Sequence, residues 1–273
     1  MLPINFHKTF IPERRLITAL LDFAAQKKEG TLQEISLETG IPMGQSTGKT
    51  PAIIDYARGM GLITIEKGEK QASKKPMLTD FGIIVYREDK YLSEEMVQWL
   101  VHMNLCRSDI GALAWHRVFA VGRNVLGTAF TKQQLEEYLI SSCGPGKDRT
   151  GPLILTYTED AALARAGILN VKGEEVLRRK APSHVSYALP YSAFIIMLME
   201  VFFPRQTQVT LTDFNKTTRW FDICLWNQPD VENILAQVEL KNYLSIDRQM
   251  HPWIIEKKAP AKEVWLHIFD DMA

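Results

Sequence analysis

The sequence predicts a mostly helical α+β protein. It has an N-terminal winged helix-turn-helix over residues 1–90, a helical middle region over 91–142, and a C-terminal α+β domain over 152–273 with the look of a second winged helix. Three observations lead there. Apolar residues recur at helical spacing through most of the chain. Two short alternating segments, 62–65 and 76–79, flank a polar loop and predict a hairpin. Residues 141–152, which run SSCGPGKDRTGP, have the composition of a linker.

Taken in order, residues 11–26 place Ile11, Leu16, Ala19, Leu20 and Phe23 on one helical face, and Gly30 ends that unit. Thr31 followed by Glu34 is a capping-box pattern, opening a short second helix whose apolar positions are Leu32, Ile35 and Leu37. Thr39-Gly40-Ile41-Pro42 stops it, since Gly suits a left-handed C-terminal residue and Pro cannot continue a helix. A third helix over 51–60 buries Ile53, Ile54, Tyr56, Ala57 and Met60, and Gly61 closes it. Helix, helix, turn, helix and a hairpin with a basic tip is the order of a winged helix. The blander alternative is a small packing or dimerisation segment.

In the middle region, Ser93 caps a helix with Met96, Val97, Leu100, Val101 and Leu105 on one face, and helices over 110–121 and 131–140 follow. Beyond the linker, residues 152–169 read as helix and 184–189 as a strand. Pro190 opens an apolar helix whose core, 191–203, contains Glu200 and is too short to span a bilayer. Thr210 starts another helix, 230–239 is a short helix, and 243–246 and 253–255 are strands. No internal repeat is visible at a fixed period.

Composition narrows the function. With 46% hydrophobic and 23% charged residues the chain is an ordinary folded one. Lys plus Arg total 32 and Asp plus Glu total 32, which argues against a polybasic binder; any DNA affinity must come from uneven placement of charge. The three cysteines, Cys106, Cys143 and Cys224, form no Cys-x-x-Cys pair and predict reduced thiols. The N-terminal residues lack the pattern of a signal peptide. Together these lead us to expect a cytoplasmic protein with no membrane association.

Gly44-Gln45-Ser46-Thr47-Gly48-Lys49-Thr50 is one residue short of a phosphate-binding P-loop, with Met43 where the first glycine is required, and no strand precedes it. No nucleotide is therefore expected. The same residues suit the start of a recognition helix. There Gln45, Ser46, Thr47, Lys49 and Thr50 would reach groove edges or phosphates, helped by the helix dipole. Lys67, Lys70, Lys74 and Lys75 on the wing, against Glu66 and Glu69, extend the candidate DNA-binding set; the competing reading is a merely solvated loop. On this placement, Lys49→Glu is expected to weaken DNA binding and leave the fold intact.

For phosphodiester hydrolysis the candidates are few. Val238-Glu239-Leu240-Lys241 supplies a Glu-x-Lys, with Asp222 or Asp230 upstream as metal carboxylates, so Glu239, Lys241 and Asp222 are the catalytic candidates. Asp148, Arg149, Glu159 and Asp160 around the linker are a lesser alternative. Mg2+ or Mn2+ would be the cofactor, although no set of metal ligands is identifiable. His102 and His116, beside Trp99 and Trp115, have no metal-ligand spacing and read as hydrogen-bonded core residues.

Several segments together resemble one family. They are Phe6-His7-x-Thr9-Phe10, Gly40-Ile41-Pro42 followed by Ser46-Thr47-Gly48-Lys49, the run 53–63, Leu78-Thr79-x-Phe81-Gly82, Tyr91-Leu92, Trp99-Leu100-x-His102 and Ala114-Trp115-His116-x-Val118-Phe119. In this order they resemble the SspB-like family carried in bacterial DNA phosphorothioation operons, and the likeness continues through Glu159-Asp160 and residues 191–203. The resemblance implies a protein that binds double-stranded DNA and nicks one strand. It would act beside a cysteine desulfurase, an ATPase and a sulfur-transfer enzyme that replace a phosphate oxygen with sulfur. It assigns no catalytic residue. Two other functions fit the sequence: a non-enzymatic winged-helix transcription regulator acting as a homodimer, and a scaffold that recruits sulfur-transfer enzymes to DNA.

Overall fold

Glu13 leads into the first helix, α1 (Arg14–Ala25), whose Leu16, Ile17, Leu20, Leu21 and Phe23 are buried. The computed structural model describes residues 1–44, 48–146 and 149–271. Ile11 and Ala19, expected on the buried face, are half-buried, and Ile11 precedes the helix. The second helix, α2 (Leu32–Thr39), opens on the expected capping box: the Thr31 hydroxyl accepts from the Glu34 N–H at 3.3 Å, and the Glu34 carboxylate accepts from the Thr31 N–H at 2.7 Å. Gly40, at φ 69°, closes it in the left-handed region. Ile35 alone of its three apolar residues is buried; Leu37 is 84% exposed, because so short a helix turns only one side to α1 and α3. In α3 (Lys49–Gly59) Ile53, Ile54, Tyr56 and Ala57 are all buried, as the periodicity requires. Strands β1 (Ile63–Lys67) and β2 (Lys74–Leu78) pair antiparallel, Ile63 opposite Leu78. The Thr79 hydroxyl then accepts from the Gly82 N–H at 2.8 Å and caps α4 (Asp80–Glu88).

The middle of the chain departs from the sequence reading. Helix α5 (Glu95–Leu105) is buried on all sides, and α6 (Leu113–Trp115) runs through a π-turn into α7 (Arg123–Leu126). Three strands missed by the sequence follow: β3 (Ala129–Thr131), then β4 (Leu169–Lys172) and β5 (Glu175–Arg178), ordered β3-β5-β4 and antiparallel. Between them lie α8 (Lys132–Cys143), opened by a Thr131–Gln134 capping box, and α9 (Thr150–Thr158). Helix α9 ends well short of residue 169. Strands of three or four residues carry too little periodicity to register in a sequence window.

In the last third, residues 184–189 were expected as a strand but form a short 3-10 turn into α10 (Ala188–Phe202). Then come β6 (Gln208–Thr210), α11 (Leu211–Thr218), α12 (Trp220–Ile223), α13 (Gln228–Glu239), β7 (Leu244–Asp247), β8 (Ile254–Lys257) and α14 (Ala261–Trp265). Their sheet is ordered β6-β8-β7 and is antiparallel. Among the described residues, Val185–Phe202 is the one segment long and apolar enough to cross a bilayer. Its burial, 67%, is that of a core helix, with Tyr191 and Phe194 packed on Trp220.

The protein is therefore α+β and mostly helical. It divides into two compact units, Met1–Arg179 and Lys180–Ala273. The break falls at Arg179 and not in residues 143–151, because β5 pairs with both β3 and β4 and thereby ties both sides of that segment into one sheet. One connectivity occurs three times. A helix, a strand, two helices and a hairpin follow each other, with the first strand beside the last. It is built from α7, β3, α8, α9, β4 and β5 in the middle, and from α10, β6, α11, α13, β7 and β8 in the second unit, where the four-residue α12 is inserted between α11 and α13. In the first, α1 to β2, the leading strand is reduced to a single bridge between Gly30 and Lys74.

Candidate nucleic-acid interface

The β1–β2 hairpin sets out the lysines in pairs. Lys67 stands opposite Lys74, and Lys75 opposite Glu66. Lys67 and Lys70 are exposed, and Lys74 and Lys75 half-buried. The tip is held from both sides: the Gly68 N–H donates to the Ser73 carbonyl at 3.1 Å, and the Glu69 N–H to the Glu29 carboxylate at 3.0 Å. Lys74 also feels Asp55. Burial pushes the Asp55 carboxyl up, while Arg58 and then Lys74 pull it back. Lys67 and Lys70 are thus the cations of this hairpin best placed to meet a phosphate backbone.

The start of α3 behaves differently from the sequence reading. Gln45, Ser46 and Thr47 lie outside the described residues. The Lys49 ammonium is ion-paired with Glu13 and sits 5.5 Å from the centre of the Phe10 ring, so its charge already has a partner within the chain. Thr50 is fully buried, its hydroxyl donating to the Ile41 carbonyl at 3.2 Å. Thr50 cannot reach a groove edge, because its hydroxyl is turned inward to the Ile41 carbonyl.

The three catalytic candidates fall into three separate ion pairs in the second unit. Glu239 accepts from the Ile246 N–H at 2.9 Å and from Arg248 at 2.6 Å; Lys241 pairs with Asp271 at 2.6 Å; Asp222 lies 3.5 Å from Arg219. Burial works to raise the Glu239 pKa, but the Ile246 N–H and Arg248 outweigh it and hold the carboxyl below its usual range. Glu239 also ends a helix, where the Glu-x-Lys pattern requires a strand. Among the described residues no group of three or more His, Cys, Asp or Glu side chains could hold a metal ion. These three residues do not fit a divalent cation: Arg248 and a backbone N–H occupy the carboxylate oxygens a metal would need. Of the lesser candidates, Arg149 is buried, donating to the Gly144 and Pro145 carbonyls at 2.6 and 2.8 Å, and Asp160 faces Arg14 at 4.0 Å.

His102 and His116 make the internal hydrogen bonds expected of them. His102 Nδ1 lies 2.6 Å from the Tyr157 hydroxyl in the core, and His116 Nδ1 lies 2.8 Å from the Cys106 carbonyl. The sequence reading passed over Lys216, Arg219, His251 and Trp253, which the second unit gathers on one cleft. The one signal was an aromatic residue set among cations in the β7–β8 loop.

No protein-family model matches the chain, and no curated protein matches it. Two solved structures do. A magnesium ion-bound SspB crystal structure matches with a TM-score of 0.66 at 14% identity, and an SspB crystal structure with 0.64 at 15% identity. Each alignment covers 98% of this chain and 87% of the other. At such low identity the likeness is one of fold, and over nearly its whole length this chain has the fold of SspB.

Proposed function

We propose that this protein is a DNA-binding component of a DNA phosphorothioation system, and that it helps to open one DNA strand for modification. The observation that carries the binding part is the exposed hairpin of the first unit. Its lysines project from a helix–helix–helix–hairpin order that we read as a winged helix, in a protein whose formal net charge is zero overall. The SspB fold, and the resemblance of the chain's segments to that family, support the setting. In it, the partners are double-stranded DNA and the desulfurase, ATPase and sulfur-transfer enzymes.

Strand nicking is the proposed chemistry, with Mg2+ or Mn2+ supplied by residues other than Glu239, Lys241 and Asp222. The engagement of those three in internal ion pairs favours a second reading, in which the protein grips DNA and a partner enzyme cuts it. A supercoiled-plasmid assay with purified protein, run with magnesium, with manganese and with chelator, separates the two. Metal-dependent open circles without linear product support intrinsic nicking. A plasmid that stays supercoiled while a gel shift shows binding supports the second reading.

A further inference from the structure

The second unit contains a cleft of about 520 Å³ between α11, the start of α13 and the β7–β8 loop. That volume lies in the range of about 300–1,000 Å³ usual for small-ligand sites. Helix α11 contributes Lys216, which is exposed, and the turn after it contributes Arg219, whose side chain is 48% exposed beside Asp222. The loop contributes His251 and Trp253, whose rings stack with centroids 5.6 Å apart and planes 21° from parallel. The Arg248 guanidinium lies 5.3 Å from the Trp253 ring centre. No carboxylate is among the residues that line the cleft.

Trp253 is the informative residue. Of six tryptophans, five are buried to 2% exposure or less, as expected for so costly an apolar surface; Trp253 is the exception. It is also held in place. The Leu211 N–H donates to the Trp253 carbonyl at 2.7 Å, which fixes the loop against the start of α11. A half-exposed aromatic stack beside two cations, in a cleft whose lining holds no carboxylate, is the combination that recognises an unpaired nucleotide. The base stacks, and the phosphates meet the charges. A duplex cannot use it, because its bases present only their edges to the grooves.

We infer that this cleft binds an unpaired nucleotide of a DNA strand, the base stacking on the Trp253–His251 layer and the phosphates pairing with Lys216 and Arg219. The geometry alone carries the nucleotide; the choice of DNA over RNA rests on the function proposed above. The test therefore avoids both plasmid nicking and the Lys67–Lys70 surface. Fluorescence anisotropy would follow a labelled twelve-residue oligothymidylate, and separately its duplex, against wild type, Trp253→Ala, Trp253→Phe and the double variant Lys216→Ala/Arg219→Ala. Thermal unfolding would confirm that each variant folds. Trp253→Ala should bind the single strand about tenfold more weakly, while Trp253→Phe, which keeps an aromatic face, should lose much less. The double variant should reduce the dependence of log affinity on log salt by about 1.4, two phosphates' worth for a single strand. Should Trp253→Ala fail to fold, Trp253→Phe and the double variant still decide the matter. The proposal is overturned by wild-type single-strand affinity in the double variant, or by an equal loss on duplex and single strand.

Discussion

The imidazole of His102 and the phenol of Tyr157 meet at 2.6 Å in a fully buried part of the first unit, where the ring of Phe119 lies edge-on to both. Burial, reinforced by the charge of Arg178, holds the His102 pKa well below its ordinary value, so the imidazole is neutral in the folded protein.

That burial sets a pH dependence. Unfolded, His102 takes up a proton below its ordinary pKa of 6.5; folded, it does not. The stability this provides is fully present above about pH 6.5 and is lost as the pH falls through that value toward the folded pKa. Thermal unfolding should show the wild-type midpoint dropping between pH 7 and pH 5, and His102→Gln should flatten that drop. Equal slopes in the two proteins would remove His102 as the cause.

Tyr157→Phe tests the same pair from the other side. It leaves His102 Nδ1 buried beside a ring that no longer carries a hydroxyl, at a cost of about 1–3 kcal/mol. Denaturant unfolding at pH 7.5 should show that loss, while the decline below pH 6.5 persists because His102 still titrates.

Lys49→Glu should destabilise the first unit and not leave it intact, since a carboxylate would face Glu13 in place of an ammonium. Both side chains are about a quarter exposed, so the loss should be about 1 kcal/mol. Chemical denaturation of the variant measures it. A Glu13→Lys/Lys49→Glu double variant, which restores opposite charges, should recover most of the stability.

The hairpin predicts a charge effect without a stability effect. Lys67→Glu/Lys70→Glu should weaken duplex binding at low salt and reduce the salt slope by about 1.8, for two lost phosphate contacts. Melting temperature should stay close to wild type, because both residues are exposed. A gel shift across a salt series with unchanged slope would take the hairpin out of the interface.

Gly82 sits where no side chain fits. A Cβ there would lie 1.9 Å from the Leu62 carbonyl oxygen, the same oxygen that accepts from the Thr79 N–H at 3.1 Å. Gly82→Ala must push the Leu62 carbonyl, just before β1, away from α4, and should cost about 3 kcal/mol by equilibrium unfolding.

Much of the local structure was legible in the residues. Thr31 with Glu34, Gly40 before Pro42, and the buried face of α3 carry their instructions within a few positions, and the structure follows them. Leu37 misled because a pattern cannot show how wide a helix's buried side is. Strands β3, β4 and β5 were illegible because each is three or four residues long, and β3 finds its partner β5 far along the chain. The thrice-repeated connectivity was hidden for the same reason: it is a pattern of pairings and not of residue types.

The sequence by itself determined the caps at Thr31 and Gly40, though not at α5, where Glu94 and not the expected Ser93 precedes the helix and no side chain caps it. It also determined the helical α+β class and the requirement that charge act locally, since these follow from backbone propensities and composition. Only the tertiary structure decided which charged groups remain available. Lys49 and Glu13 are 36 positions apart, and nothing in either's neighbourhood announces the other. Glu239 and Lys241 are near neighbours in the chain, yet each turns to a partner of its own, Arg248 and Asp271. Lys216 and Trp253 share a cleft because β6 pairs with β8 and brings α11 to the β7–β8 loop. Charge and aromatic surface act over a few ångströms of space, and distance along the chain does not measure that space.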